Sequence, residues 1–173
     1  LKMGMVAALP LICGMVIEVL AGWASDRMVH NKVLSLTATR KLFLTIGLLM
    51  ALCIGFAPFT DSVFMTVLLL CIAKSGTTVA ASQVWALPGD VAPKNSVSIV
   101  AGLQNTVSNM GGAVGPIITG AIVGATGHFT WALVFSAVLV VIGIVNYLFL
   151  MGKVEPIVDE GQVHHPHSVV SGA

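Results

Sequence analysis

The stretch WALVFSAVLVVIGIVNYLFLM (residues 131–151) contains no charged side chain. A helix needs about 20 apolar residues to cross the hydrocarbon core of a bilayer, so this stretch is long enough to span one. Apolar and polar residues do not alternate in it, as they do in the strands of a membrane β-barrel. The whole chain of 173 residues is 57% hydrophobic and 9% charged, whereas soluble domains carry about 25% charged residues. The predicted fold class is therefore an all-α membrane protein.

Four further runs pass the same length test. The predicted transmembrane bundle of about five helices fills residues 1–153, and the polar residues 154–173 are predicted to form a disordered cytoplasmic tail. The predicted spans cover residues 3–24, 42–59, 62–87, 97–124 and 131–151.

Basic residues set the predicted orientation, because lysine and arginine collect in cytoplasmic loops. If the spans alternate in direction, nearly all basic residues fall on one side, which places the C-terminus in the cytoplasm and the N-terminus outside. An outside N-terminus, with Leu1 in the first position, predicts a fragment preceded by an odd number of spans. The residues on the cytoplasmic side are Arg27, Lys32, Arg40, Lys41, Lys94 and Lys153.

Several classes of protein are excluded by composition and motifs. The formal net charge is +1, so no broad positive field attracts nucleic acid. Cys13, Cys53 and Cys71 show no CxxC spacing, so neither a disulfide framework nor a metal site is predicted. The spans contain no HExxH, Gly-x-Ser-x-Gly or paired-carboxylate motif, so no enzyme and no cofactor is predicted.

The third span carries a stripe of polar side chains. Lys74, Thr78, Ser82 and Trp85 follow one another at i, i+4, i+8 and i+11, which places them on one narrow face of a helix. A lysine near the bilayer centre costs about 2.5–3.5 kcal/mol on insertion scales, so Lys74 needs an anion, a carboxylate or water. Two interpretations remain open: a cationic contact for an anionic substrate, or a structural partner of an acidic group on another helix.

The fourth span carries amides at helical spacing. Asn105 and Asn109 lie one turn apart, and Gln104 lies beside them. Amides in hydrocarbon need partners, so these side chains line a cavity or bond a neighbouring helix, and we favour the cavity. Glycines at four-residue spacing predict close helix packing on the same span; they are Gly111 with Gly115 and Gly120 with Gly124.

The remaining spans differ in polarity. Glu18 on the first span is a candidate proton site, because burial disfavours the charged form of a carboxyl group. Pairing of Glu18 with a basic group at the cytoplasmic rim is the alternative. The second and fifth spans are almost free of polar residues, so they are predicted to be peripheral helices that face lipid.

The end of the first span carries a motif. Gly22-Trp-Ala-Ser25-Asp26-Arg27, followed by basic residues, resembles the signature loop Gly-x-x-x-Asp-Arg of the major facilitator superfamily. Val29 stands where the pattern has its next glycine, which suits the weaker second copy of that loop, between the eighth and ninth helices. Asp26 is expected to bond a neighbouring helix end or a loop arginine in one transport state.

A second resemblance covers more of the chain. Residues 85–93 (WALPGDVAP), 102–105 (GLQN) and 109–120 (NMGGAVGPIITG) resemble the tenth and eleventh helices of the anion:cation symporter family within that superfamily. The segment 152–156 (GKVEP) is similar to the end of that family. The resemblance implies a partial major-facilitator bundle, with the five spans as helices eight to twelve.

The resemblance also implies a function. It points to the C-terminal part of a secondary transporter in a bacterial inner membrane, moving a small organic anion such as a sugar acid by proton or cation symport with alternating access. The other half of the same transporter and the lipid bilayer are the implied partners. A non-transporting signalling or assembly subunit is the alternative, against which the signature loop argues. The expected substrate-binding residues are Lys74, Ser82, Gln83, Trp85, Gln104, Asn105 and Asn109, of which Ser82, Trp85 and Asn105 resemble the family's substrate contacts.

Overall fold

The computed structural model describes residues 2–157, with side chains from residue 8 onward. Within this range no strand occurs, and five helical segments are long and apolar enough to cross a membrane. The prediction of an all-α bundle of about five membrane helices is therefore confirmed. The helices are α1 (Lys2–His30), α2 (Leu36–Leu52), α3 (Val63–Val91), α4 (Val97–Thr126) and α5 (Phe129–Val145); a 3₁₀ segment (Cys53–Phe59) follows α2 and a π-helical turn (Asn146–Leu150) follows α5.

Helix α2 begins well before the predicted start of its span at residue 42. Ser35 caps the helix, and its Oγ accepts a hydrogen bond from the backbone N–H of Ala38 at 3.2 Å. The first turns hold Arg40 and Lys41, so the apolar run starts later than the helix does. Arg40 and Lys41 are therefore part of the helix and not of the preceding loop.

Helices α2 and α3 pack closely through two glycines. A Cβ atom added at Gly47 would lie 2.6 Å from the carbonyl oxygen of Gly76, so the two backbones are in direct contact there. Leu44 and Ala51 are also buried on α2. This packing buries one face of α2, so the prediction that the second span is peripheral is wrong for that face. The sequence gives no sign of the contact, because glycines can pack two apolar helices together without any polar residue.

Helix α1 packs on the other side of α3. The Thr78 hydroxyl shares its proton between the carbonyl oxygens of Ser75, at 2.9 Å in its own helix, and Gly14, at 3.1 Å on α1. The Lys74 stem also lies against Gly14. Helix α3 is therefore the centre of the described bundle, held between α1 and α2.

Helix α4 is open along its length. None of its residues, all of which are described, is buried. A Cβ added at Gly111, Gly115, Gly120 or Gly124 would meet no atom within 4 Å. The close packing predicted from these glycines does not occur within residues 2–157, because α4 contacts only α5 and an edge of α3 there.

The segment after α5 returns to the bundle. The Val154 N–H donates to Oγ1 of Thr37, and the Ile157 N–H donates to the carbonyl oxygen of Val91, both at 2.9 Å. Val154 is buried. The first residues of the predicted tail are thus bonded to the ends of α2 and α3, and residues 158–173 lie outside the described range.

Candidate functional site

A charged cluster joins the ends of α1, α2 and α3. Arg40 is buried and donates from Nη1 to Ser25 Oγ at 2.9 Å and to Gln83 Oε1 at 3.0 Å. Ser25 in turn donates to Gln83 Oε1 at 2.9 Å. The guanidinium also donates to both carboxylate oxygens of Asp90, at 2.8 and 3.4 Å. We call Ser25, Asp26, Arg40, Gln83 and Asp90 the Arg40 cluster.

The two carboxylates of the Arg40 cluster are unequal. Asp90 has 18% of its side chain exposed and lies 2.8 Å from Arg40, whereas Asp26 is 71% exposed and lies 3.3 Å away. Because water screens exposed charges, Asp90 is the stronger partner. Asp26 pairs with Arg40, which lies in helix α2 and not in a loop, and this pair is the weaker of the two.

Other residues of the signature loop lie outside the cluster. Arg27 is exposed and makes no ion pair with the residues the structure describes. Gly22 is half-buried, with nothing within 4 Å of an added Cβ. Sequence reasoning missed Asp90 as a partner and treated Arg40 as one of the basic residues that follow the signature motif and set the orientation. The sequence signal that could have identified Asp90 is its position directly after Pro88 and Gly89, close to the end of α3.

One cavity of about 470 Å³ lies along α3, between α1, α2 and α5. Its polar side chains are Lys74, Thr77 and Ser136, and no carboxylate lines it. We call it the Lys74 cavity. Its lining residues are Pro10, Leu11, Ala51, Ile54, Leu70, Ala73, Lys74, Thr77, Ser136 and Val140.

A second cavity of about 310 Å³ lies between α2, α3, α4 and the π-helical turn. We call it the Trp85 cavity. Gln104 reaches it from α4 while its Nε2 donates to the carbonyl oxygen of Val84 at 3.0 Å. Thr77 lines both cavities, so they adjoin along α3. The lining residues are Leu44, Leu48, Thr77, Ala80, Ala81, Val84, Trp85, Gln104, Ser108 and Tyr147.

The polar stripe predicted on α3 is divided between two faces. Lys74 and Trp85 lie on the open face, where Thr77 joins them. Thr78 is bonded to α1, and Ser82 Oγ donates to the carbonyl oxygen of Val79 at 2.8 Å. Residues at i+3 and i+4 from Lys74 lie on either side of its face. The sequence spacing therefore could not tell which side α1 would cover.

The remaining predicted residues lie apart. Gln83 is fully buried in the Arg40 cluster, and its Nε2 donates to Ser82 Oγ at 3.0 Å. Asn105 and Asn109 are exposed on α4, where Asn109 Nδ2 donates to Asn105 Oδ1 at 2.8 Å. Glu18 is half-buried on α1 and lines neither cavity. The structure thus brings Trp85 together with Gln104, and Lys74 together with Thr77.

The chemistry of the two cavities is that of binding. One is lined by a lysine and two hydroxyl side chains, and the other by an indole, an amide and three hydroxyl side chains. Within the described chain, no three His, Cys, Asp or Glu side chains gather as a metal centre would require. One cation beside neutral hydrogen-bonding groups suits a small acid with several hydroxyls.

Comparison with known proteins identifies related chains. The sequence model of the Major Facilitator Superfamily matches residues 1–171. The chain is 36% identical over 166 residues to a probable galactarate/D-glucarate transporter of Bacillus subtilis, covering 96% of this chain and 36% of the relative. A protein of the same name from Escherichia coli K12 is 34% identical over 157 residues, which is 91% of this chain and 34% of the relative.

A further relative has a different name. The D-galactonate transporter of Escherichia coli O6:H1 is 32% identical over 155 residues, which is 90% of this chain and 35% of the relative. The chain spans about one third of the length of these curated relatives.

Proposed function

The chain belongs to the major facilitator superfamily, and from this premise we propose that it is the C-terminal part of a secondary active transporter for a sugar acid. It is a multi-pass integral membrane protein, with five helical segments of sufficient length and apolarity to span a bilayer. Relatives named as galactarate/D-glucarate and D-galactonate transporters support the substrate class. They support a transporter over an enzyme as well.

One observation carries this proposal: the two adjoining cavities on the open face of α3. They contain one lysine and several neutral hydrogen-bonding groups on helices that are long and apolar enough to span a membrane. Secondary transporters bind substrate near the bilayer midplane, between two halves that rock against each other. In the proposed transporter, the other half covers this face and completes the substrate site.

The proposed substrate contacts fall into two groups. Lys74, Trp85 and Gln104 are supported by their place in the cavities. Ser82, Asn105 and Asn109 rest on the family resemblance and on helical spacing. Gln83 is assigned to the Arg40 cluster instead, because its amide is buried and bonded at both ends.

The Arg40 cluster is proposed to act in alternating access. It connects three helix ends through one buried guanidinium, so separating those ends breaks charge-assisted hydrogen bonds. Such a cluster favours one of two conformations, and the substrate shifts the balance by binding one of them better. We place it on the cytoplasmic side of a bacterial inner membrane, with the C-terminus.

Coupling to a proton or another cation belongs to the same proposal. Glu18 is the half-buried carboxylate of α1 and the candidate proton site of this chain. Its protonation would remove a charge from the apolar region during the transport cycle. The co-transported ion would be identified by uptake under separate proton and sodium gradients.

The test is uptake of labelled galactarate, D-glucarate and D-galactonate by the full-length transporter in proteoliposomes. Trp85→Ala should lower uptake strongly, because the indole borders the cavity. Trp131→Ala is the matched control: Trp131 is 58% exposed against 52% for Trp85 and lies outside both cavities. Equal effects of the two variants would contradict the site. Folded protein that transports no acid under any ion gradient would contradict the function and favour a non-transporting subunit.

A further inference from the structure

Past helix α5 the chain runs across the ends of two other helices. The Lys41 ammonium group donates to the carbonyl oxygen of Leu148 at 3.1 Å, so α2 already holds the π-helical turn. Residues 152–157, which have no regular secondary structure, follow shortly after that turn. We call these residues the strap.

The strap is bonded to both helices through its backbone. The Val154 N–H donates to Thr37 Oγ1 in the first turn of α2, at 2.9 Å. The Ile157 N–H donates to the carbonyl oxygen of Val91, the last residue of α3, also at 2.9 Å. The last carbonyl groups of a helix have no partner within it, so this bond caps α3. The strap therefore joins the start of α2 to the end of α3.

The same two helix ends carry the closest ion pair of the Arg40 cluster. Arg40 Nε and Asp90 Oδ2 lie 2.8 Å apart. Asp90 directly precedes Val91 on α3, and Arg40 lies about one turn after Thr37 on α2. Each bond of the strap is thus made within one helical turn of one partner of this ion pair.

The glycine contact between α2 and α3 is too far away to fix these helix ends. Gly76 lies about 21 Å from Asp90 along α3, and Gly47 lies about 10 Å from Arg40 along α2, at 1.5 Å per residue. Helix ends open more easily than helix centres. The position of the last turn of α3 therefore depends on bonds made at that turn, which include those to Arg40 and to the strap.

We propose that the strap holds Asp90 against Arg40, with Thr37 as a positioning residue for this ion pair. The strap fixes the backbone of the last turn of α3, and that backbone determines where the Asp90 carboxylate lies. The consequence for transport rests on the proposed function, in which the Arg40 cluster favours one of two conformations. The strap stabilises that conformation, and its release favours the other.

The experiment measures hydrogen–deuterium exchange of the full-length protein by mass spectrometry, without substrate. Thr37→Val removes the acceptor for the Val154 N–H and keeps the branched shape of the side chain. Exchange of the backbone amides of residues 89–92 should become roughly twofold to tenfold faster, the range for loss of one neutral hydrogen bond. Thr37→Ser keeps the hydroxyl group and is the matched control, in which exchange should stay as in the wild type.

A double variant shows whether the strap acts through the ion pair. Asp90→Asn alone should also speed exchange at residues 89–92. If the strap acts by holding Asp90, the fold-change in Thr37→Val/Asp90→Asn should be smaller than the product of the two single fold-changes. A fold-change equal to that product would mean two independent contributions and would overturn the proposal. Unchanged exchange at residues 89–92 in Thr37→Val would overturn it as well.

A second pair of variants tests the other bond of the strap and keeps the proposal testable if Thr37→Val does not fold. Ile157→Pro removes the N–H that caps Val91, whereas Ile157→Ala removes only the exposed side chain. The proline variant alone should speed exchange at residues 89–92, and equal exchange in the two variants would contradict the strap. These measurements need no substrate, so a wild-type protein that transports no sugar acid would contradict the proposed function and not the strap.

Discussion

Helices α3 and α4 both carry predicted site residues, but only α3 is packed on several sides. The buried residues of α3 include two polar ones, Ser75 and Gln83, whereas α4 buries none. Polar groups on a packed helix are bonded to other parts of the fold, and those on an open helix remain available to a ligand or another helix. Substitutions at the buried residues of α3 should therefore lower stability, whereas substitutions at the exposed residues of α4 should leave it nearly unchanged.

The glycines of the two helices show the same difference. Gly76 on α3 faces the backbone of α2, whereas Gly124 on α4 has no neighbouring atom within 4 Å of an added Cβ. Small residues at helical spacing permit close approach but do not produce it. Whether a glycine is essential depends on the neighbouring helix.

The largest effect is expected for Gly76→Ala. Its Cβ would lie 2.6 Å from Met50 Cβ and 2.7 Å from the Ala51 nitrogen, so α2 and α3 must move apart. Overpacking of this kind should lower the free energy of unfolding by about 3 kcal/mol. Thermal unfolding of the purified full-length protein, followed by size-exclusion fluorescence, measures the loss as a lower Tm. Gly124→Ala is the control and should leave Tm equal or slightly higher, because alanine favours a helix by up to about 1 kcal/mol. A similar loss in both variants would remove the contrast.

The next effect is expected in the Arg40 cluster. Asp90→Asn leaves the buried guanidinium without its close carboxylate, which should cost about 2 kcal/mol because Ser25 and Gln83 still accept from it. Asp26→Asn removes an exposed carboxylate and should cost less than about 1 kcal/mol. Tm values at low and high salt test both, and salt should reduce only the small effect of Asp26→Asn. If Asp26→Asn were the more harmful, the signature residue would be the principal partner of Arg40 after all.

The sequence was sufficient for the helices but not for their contacts. Runs such as residues 131–151 predict membrane helices because the bilayer requires that length of apolar chain. Hydropathy does not detect helical turns that are polar or charged, so the sequence does not reveal the start of α2 at Leu36. A run of apolar residues does not show which of its glycines contact another helix. The contact between Gly47 and Gly76 is therefore not visible in the sequence, which predicts a peripheral α2.

The candidate site was also only partly predictable. Lys74 and Trp85 were identified because polar residues are rare in an apolar helix. Thr77 was missed and Thr78 chosen because helical spacing defines a stripe but not which neighbour covers it. Asp90 was missed because its partner, Arg40, lies fifty positions away in sequence on another helix. To identify either residue, one would have to know which helices are in contact.

A smaller effect is expected where the chain leaves α5. Val154 is 5% exposed and packs where the ends of α2 and α3 carry the Arg40 cluster. Val154→Ala removes two buried carbon groups and should cost about 1.5 kcal/mol. Ile157→Ala is the control, because Ile157 is 61% exposed and its backbone N–H bond to Val91 is unaffected. Equal Tm values for the two variants would show that the packing of Val154 adds no stability.

The smallest effect on stability is expected for Asn105→Ala on α4. Asn105 is exposed, and its Oδ1 accepts a hydrogen bond from Asn109 within the same helix. The free energy of unfolding should change by less than about 0.5 kcal/mol, while sugar-acid uptake should fall about tenfold if the amide contacts substrate.

Thr106→Ala is the control for this substitution, because Thr106 is the next residue of α4, also exposed, and bonded to its own helix. It should change neither stability nor uptake. A loss of stability with Asn105→Ala in the full-length protein would instead mean that this face of α4 packs against another helix. If both stability and uptake were unchanged, Asn105 would be removed from the substrate site. An amide that contacts the substrate should affect uptake, and one that packs against the other half should affect stability.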